Sequence, residues 1–149
     1  MPLLTAESGK DTVKMIDLTF DCARPVELAE FWKLALGYVD EPPPAPFTSR
    51  AEWAASFLLP GETDDGMGGA WLLDPSGHGP RLSLLQVPEP KTAKNRLHID
   101  VRVPGGWPGV QAKAAELEKA GATVLATFAG HHISMTDPEG NEFCVAQAR

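Results

Sequence analysis

The sequence has little of what marks a secreted, membrane-inserted or nucleic-acid-binding protein. It holds only two cysteines in 149 residues and does not begin like a signal peptide, so we expect a cytoplasmic protein with reduced thiols. It has no run of about 18 apolar residues, which predicts no contact with a membrane. Basic residues are also few, with 13 Lys and Arg against 20 Asp and Glu, a net charge of −7. This acidic balance argues against a nucleic-acid partner.

Two similar turns occur in the chain, one at residues 74–78 and one at residues 137–141. Each begins with Asp-Pro and has glycine in the fourth position, the composition of a tight turn. Apolar, strand-like segments precede and follow both turns, so each is predicted to be the tip of a β-hairpin. The repeat predicts a fold built by duplication.

The residues upstream of each turn follow the same plan. Segments with alternating polar and apolar residues, 15–22 and 96–103, predict a strand in each half. Each is followed by a helical pattern that begins at a proline, Pro25 or Pro108, and ends before a glycine. Each half is therefore predicted to run strand, helix, short strand and hairpin.

The two halves differ by an insertion at residues 41–65. It contains a proline tract and a helical segment in which Trp53 and Phe57, four residues apart, share one face. An insertion of this length is either a lid over a ligand or a cap on the core or on an oligomer contact. The predicted organisation is a flexible lead at residues 1–13 and one domain at 14–149, with module one at 14–90 and module two at 95–149.

Histidine and cysteine residues are the main candidates for chemistry. His98 shares a polar strand face with Asp100, and histidine is the residue type most often used in proton transfer, so with Asp17 or Asp100 nearby it could act as a general base. The alternative is a structural histidine between the two halves. We expect His131 and His132 to face opposite ways on one strand. Cys22 and Cys144 are either nucleophiles or small apolar filling.

Three segments carry a resemblance to a known family: residues 21–32, residues 87–100 with Pro-Glu-Pro-Lys-Thr-Ala-Lys-Asn-Arg-Leu-His, and residues 137–144 with Asp-Pro-Glu-Gly-Asn. The chain resembles the vicinal oxygen chelate superfamily of glyoxalase I, bleomycin-resistance proteins and extradiol dioxygenases, above all its small glyoxalase-like domain proteins. The resemblance implies an α+β fold of two βαβββ modules in tandem, which form a curved mixed sheet around a shared cleft.

The resemblance also implies four positions for a metal ion. They fall on Asp17, Gln86, His98 and Cys144, with Glu142 on the same strand face as Cys144. No single metal prefers this mixture of carboxylate, amide, imidazole and thiol, because hard cations select oxygen ligands and thiolate selects softer ions. We therefore expect no metal and no cofactor.

The sequence predicts a protein that binds or acts on a small organic molecule without a metal, as bleomycin-resistance proteins do by sequestration. The alternative is a metal-dependent lyase, isomerase or dioxygenase, and a purely structural module is a third possibility. We expect a homodimer, with His98 as the catalytic candidate. The predicted ligand-binding residues are Asp17, Thr19, Trp53, Phe57, Trp71, Gln86, His98, Glu142 and Cys144.

Overall fold

A computed structural model describes residues 13–62 and 68–149 of the chain. Residues 1–12 of the predicted lead, and residues 63–65 at the end of the predicted insertion, lie outside the described part. Among the described residues, no helix is long and apolar enough to cross a membrane.

Module one contains one four-stranded mixed sheet, called sheet A here. Its strands follow the order β1-β4-β3-β2, in which β1 and β4 are parallel and the other neighbours are antiparallel. A long helix follows β1, and a short helix lies in the insertion. The elements are β1 (Asp17–Cys22), α1 (Pro25–Leu36), β2 (Val39–Asp40), α2 (Arg50–Ala55), β3 (Gly69–Leu73) and β4 (Arg81–Gln86).

Module two repeats this plan without the insertion helix, and its sheet is called sheet B. The strand order β5-β8-β7-β6 again pairs the first and last strands in parallel. The elements are β5 (Asp100–Val103), α3 (Gly106–Lys119), β6 (Thr123–Phe128), β7 (His132–Thr136) and β8 (Glu142–Gln147). The predicted α+β fold of two tandem modules is confirmed. The first strand of each module is shorter than predicted, so His98 lies just before β5.

The helices join the two modules through one hydrophobic core. Leu28, Phe31 and Trp32 of α1 are almost fully buried. The ring of Trp32 also meets the ring of Phe143 on β8 edge-on, with centroids 5.3 Å apart. Burying a side chain of this size stabilises a fold by about 2–3 kcal/mol. The helix of module one therefore contributes to the packing of module two.

The turn at residues 137–141 strengthens this joint with hydrogen bonds. Buried Asp137 accepts a hydrogen bond from Trp32 Nε1 at 3.1 Å. The Glu139 carboxylate accepts hydrogen bonds from the backbone N–H groups of Ala23 and Arg24, at 2.6 and 3.1 Å. These two residues lead into α1, where N–H groups lack helical partners and negative charge is stabilising. This turn therefore has a structural role.

Candidate functional site

Sheet B brings three chemically active side chains together on the face that points away from α3. The strand register places Asp100 beside Cys144 and Cys144 beside Ser134. The backbone N–H of Cys144 donates to the carbonyl of Ile99, which continues the ladder toward His98. His98 Nδ1 lies 3.6 Å from Asp100 Oδ1. The ligating atoms of His98, Asp100 and Cys144 all lie within 4.8 Å of one another.

These side chains line a cavity of about 510 Å³, and all its walls come from module two. Arg102, next on the same face of β5, and His132 on β7 also line it. The volume lies within the usual range for small-molecule sites, and the walls combine apolar surface with a few polar groups. We call it the sheet B cavity.

The prediction that His131 and His132 face opposite ways is wrong. His131 lies in the turn before β7, so strand alternation does not apply to it. The two Nδ1 atoms lie 2.6 Å apart, and both rings line the sheet B cavity. Phe128 stacks on His132 with ring centroids 4.5 Å apart. The two imidazole rings meet at an angle of 69°, so this edge of the cavity is lined by two inclined histidine rings, one of them backed by Phe128.

The corresponding face of sheet A carries a network of alternating charges instead. Asp17 is paired in register with Arg81, whose guanidinium lies 3.7 Å from the carboxylate. Arg81 also contacts Glu41 at 2.7 Å, and Glu41 contacts Arg50 of α2 at 2.6 Å. Burial opposes ionisation of Glu41, but the two guanidinium groups outweigh it and hold the pKa of Glu41 below its ordinary value.

The strand registers show which residues of the two modules correspond. Asp17 beside Arg81 in sheet A occupies the place of Asp100 beside Cys144 in sheet B. The structural counterpart of Asp17 is therefore Asp100, two residues after His98. Arg81 brings a positive charge to the position where module two has a thiol, and this charge disfavours a cation beside Asp17.

The four metal positions implied by the resemblance do not come together. Gln86 pairs with Cys22 at the far end of β4, five residues from Arg81 and so roughly 17 Å from it. Its amide donates to the carbonyl of Ala23 at 3.3 Å. Only His98 and Cys144 of the four lie close together, and Asp100 joins them.

Glu142 points toward the segment that links the modules. Its carboxylate accepts a hydrogen bond from the backbone N–H of Asn95 at 3.0 Å, and Lys91 Nζ lies 3.3 Å away. The Asn95 hydrogen bond, with the Lys91 charge, lowers the pKa of Glu142. The observed contacts of Glu142 are therefore structural.

The predicted aromatic residues form a separate cluster on sheet A. The ring of Trp53 meets those of Phe57 and Trp71 edge-on, at centroid distances of 5.1 and 4.9 Å. The Arg50 guanidinium lies 4.8 Å from the Trp53 ring and 5.0 Å from the Trp71 ring, within cation–π range. A smaller cavity of about 240 Å³ lies between α2 and Trp71. Thr19, beside Ser83, lines another of about 200 Å³.

The predicted site residues thus divide between two faces. His98 and Cys144 line the sheet B cavity, whereas the aromatic residues and Asp17 belong to sheet A. Sequence reasoning missed Arg102 and gave Asp100 no role beyond supporting His98. The alternation of Asp100 and Arg102 along β5 was the signal that both share one face.

Two tandem βαβββ modules, each with its first and last strands paired in parallel, define the vicinal oxygen chelate fold. The chain belongs to the glyoxalase-like domain family, whose model matches residues 17–146. A comparison with curated proteins finds no match.

Solved structures similar to this chain share its fold at low identity. A possible glyoxalase from Bacillus cereus is 18% identical with a TM-score of 0.58, and the match covers 91% of this chain and 99% of that one. The fosfomycin resistance protein FosX from Mesorhizobium loti is 13% identical with a TM-score of 0.61, covering 93% and 94%. A FosX variant from Listeria monocytogenes, in complex with Mn(II) and a dihydroxypropylphosphonic acid, is 9% identical with a TM-score of 0.57, covering 93% of each chain.

Proposed function

We propose that the protein binds a small organic molecule in the sheet B cavity. The observation that carries this proposal is the convergence of His98, Asp100, Cys144, Arg102 and His132 on one cavity of ligand size. Membership of the glyoxalase-like family supports it, and the two FosX relatives are described as fosfomycin resistance proteins. This site is consistent with sequestration of the ligand and with a reaction on it.

His98 is the central group of this proposal. The Asp100 carboxylate lies beside Nδ1 and favours the proton on that nitrogen, which leaves Nε2 as an acceptor or general base. The Arg102 guanidinium and the His132 ring offer donors on the same face, so an anionic or carbonyl group of the ligand has partners there.

Metal independence, a homodimer and a cytoplasmic location remain predictions from the sequence. The second candidate function is a metal-dependent lyase, isomerase or dioxygenase. The close approach of the His98, Asp100 and Cys144 ligating atoms is the observation that favours it. Adding EDTA to a binding assay separates the two candidates, because only the metal-dependent one loses its ligand.

Native mass spectrometry of the purified chain, searched for a co-purified molecule, tests the proposal. A set of small carboxylates and planar aromatic compounds, screened by ligand-observed NMR, provides probes. If a small molecule binds in the sheet B cavity, His98→Ala should lower its affinity at least about tenfold, or 1.4 kcal/mol. Trp53→Ala, which changes the aromatic cluster on sheet A, is the variant to compare with His98→Ala. Binding that Trp53→Ala weakens and His98→Ala leaves intact would move the site to the aromatic cluster.

A further inference from the structure

We propose that the sheet B cavity selects a ligand with one carboxylate, which it binds over Ala146 between Arg102 and His132. This inference rests on the proposed function, because it names the class of molecule that the same cavity takes. The strand registers pair Arg102 with Ala146 and Ala146 with His132, so the three side chains form one row across β5, β8 and β7. All three line the cavity.

The row is low at its centre and polar at both ends. Ala146 contributes only a methyl group to it. Neighbouring strands lie about 4.8 Å apart, so the backbones at Arg102 and His132 are separated by about 10 Å. A carboxylate that accepts a hydrogen bond of about 2.9 Å on each side spans roughly 8 Å. The row therefore has the dimensions of a carboxylate site.

The Arg102 guanidinium has donors available at one end of the row. Its Nη1 atom donates to the carbonyl of Gln147 at 3.1 Å, which directs the side chain along the end of β8. This bond uses one of the five N–H groups of the guanidinium. The carboxylate two residues earlier on β5, that of Asp100, contacts His98 instead. Arg102 can therefore offer a ligand carboxylate two parallel hydrogen bonds, a stronger arrangement than a bond to a neutral carbonyl.

The histidine pair supplies a donor at the other end. The Nδ1 atoms of His131 and His132 lie 2.6 Å apart, a separation that requires one proton between them. The ring that accepts this proton carries its own proton on Nε2, since a neutral imidazole keeps one. The pair therefore has at least one Nε2–H donor, whichever ring accepts. Phe128, stacked on His132, holds that ring in place.

Asp100 limits the ligand to a single negative charge. It is the one acidic side chain among the described residues that line the cavity. It lies on the same face of β5 as Arg102, two residues away and so about 7 Å along the strand. Its carboxylate repels the second charge of a dianion bound at Arg102. A neutral amide lacks the charge that strengthens the hydrogen bonds, so a carboxylate is favoured over both.

The equivalent row of sheet A has no free cation. Its members are Thr19, Ser83 and Trp71, which are paired in register across β1, β4 and β3. The cation of the adjacent row, Arg81, already contacts two carboxylates. A ligand carboxylate should therefore bind to sheet B and not to sheet A.

Protein-observed NMR of the full-length chain with benzoate and benzamide tests the inference. The two molecules have nearly the same shape and differ in charge, and the signals of the Ala146 amide and the Arg102 side chain report binding at the row. We expect benzoate to bind at least about tenfold more tightly than benzamide. Phenyl phosphate, mostly a dianion at pH 8, should bind at least about threefold more weakly than benzoate.

Substitutions assign the preference to the row. Arg102→Gln should remove it, so that benzoate and benzamide bind within about threefold of each other, and Arg102→Lys should keep part of it. Ala146→Leu should weaken benzoate at least about tenfold, because the larger side chain fills the centre of the row. Arg96→Gln, at an exposed arginine outside the cavity, is the matched control and should leave the preference unchanged.

Several outcomes would overturn this inference without overturning the proposed function. One is equal binding of benzoate and benzamide to the unsubstituted chain, with both weakened by His98→Ala. Another is a co-purified molecule in the cavity that has no acidic group. A loss of the preference in Arg149→Gln equal to that in Arg102→Gln would contradict the assignment to Arg102, because Arg149 also lines the cavity. If neither probe shifts the signals of the cavity residues at about 10 mM, the carboxylate inference is wrong.

Discussion

The two cysteines show how the surroundings of a residue set its chemistry. Cys22 is buried at the end of β1, beside Gln86 of β4, and burial, with the nearby Glu139 and Asp137 carboxylates, raises the pKa of its thiol to about 12. Cys144 lies on the open face of sheet B and is partly exposed. Because the thiolate is the reactive form, the two thiols should differ widely in reactivity.

We predict that one thiol of the folded protein reacts quickly with a disulfide reagent at pH 8 and that the second reacts only after unfolding in urea. Cys144→Ser should remove the fast reaction, and Cys22→Ala should leave it in place. The absorbance of the released chromophore, followed over time, measures the reaction of the native protein and that of the unfolded protein. Two fast thiols in the native protein would contradict the inferred burial of Cys22.

Among the individual site residues, the sequence indicated some correctly and misassigned others. His98 and Cys144 were predicted as neighbours and do lie together. The implied metal positions used Asp17 in module one and His98 in module two, although Asp17 stands eight residues before Pro25 and it is Asp100 that stands eight before Pro108. This equal spacing can be seen in the sequence alone. The contact between Arg81 and Asp17 cannot be predicted from the sequence, because it depends on the register of strands about 60 residues apart.

The insertion shows how a short element is held by charge. α2 has no buried residue of its own, so the hydrophobic effect does little to fix it. It contacts sheet A through the Trp53 ring against Trp71, the Arg50 guanidinium over Trp71 and the contact of Arg50 with Glu41. The same carboxylate also binds Arg81 of β4. Glu41 therefore links the insertion helix to sheet A.

We predict that Glu41→Gln lowers the free energy of unfolding by about 1–2 kcal/mol at pH 7, because it leaves two guanidinium groups without their partner. The pKa of Glu41 is below its ordinary 4.5 in the folded protein. Its stabilisation is therefore fully present above about pH 4.5 and is lost as the pH falls through the lower, folded-state value.

Urea denaturation at a series of pH values measures this effect. The difference between the unsubstituted chain and Glu41→Gln should shrink as the pH falls below 4.5, the ordinary pKa of the group. Glu118→Gln, which changes an exposed carboxylate on α3, is the matched control and should leave the free energy of unfolding at pH 7 unchanged. If the difference in free energy of unfolding between the unsubstituted chain and Glu41→Gln stays constant with pH, Glu41 acts through packing and not through its charge.

For the whole molecule, local sequence patterns predicted the elements and their repetition. Alternation, proline and glycine punctuation, and the two Asp-Pro turns identified both hairpins and both long helices, because these signals act over a few residues. The joint between the modules was not predicted. It depends on Trp32 reaching Asp137 and on Glu139 reaching the start of α1, and such long-range pairs leave no periodic trace.

The final prediction concerns the assembly of two chains. Phe57 and Leu59, two positions apart after α2, are each 67% exposed in the single chain, and large apolar side chains exposed so close in sequence are typical of a contact surface. Closed symmetric dimers are the commonest oligomers, and burying such side chains in one contributes about 1.5–3 kcal/mol each. We therefore expect light scattering to give twice the 16.0 kDa chain mass at concentrations on the order of 10 µM. The double substitution Phe57→Ser and Leu59→Ser should shift the population toward monomer. Leu125→Ser, a residue 56% exposed on β6, should not. A monomeric mass for the unsubstituted chain would show that these residues do not form an interface between copies.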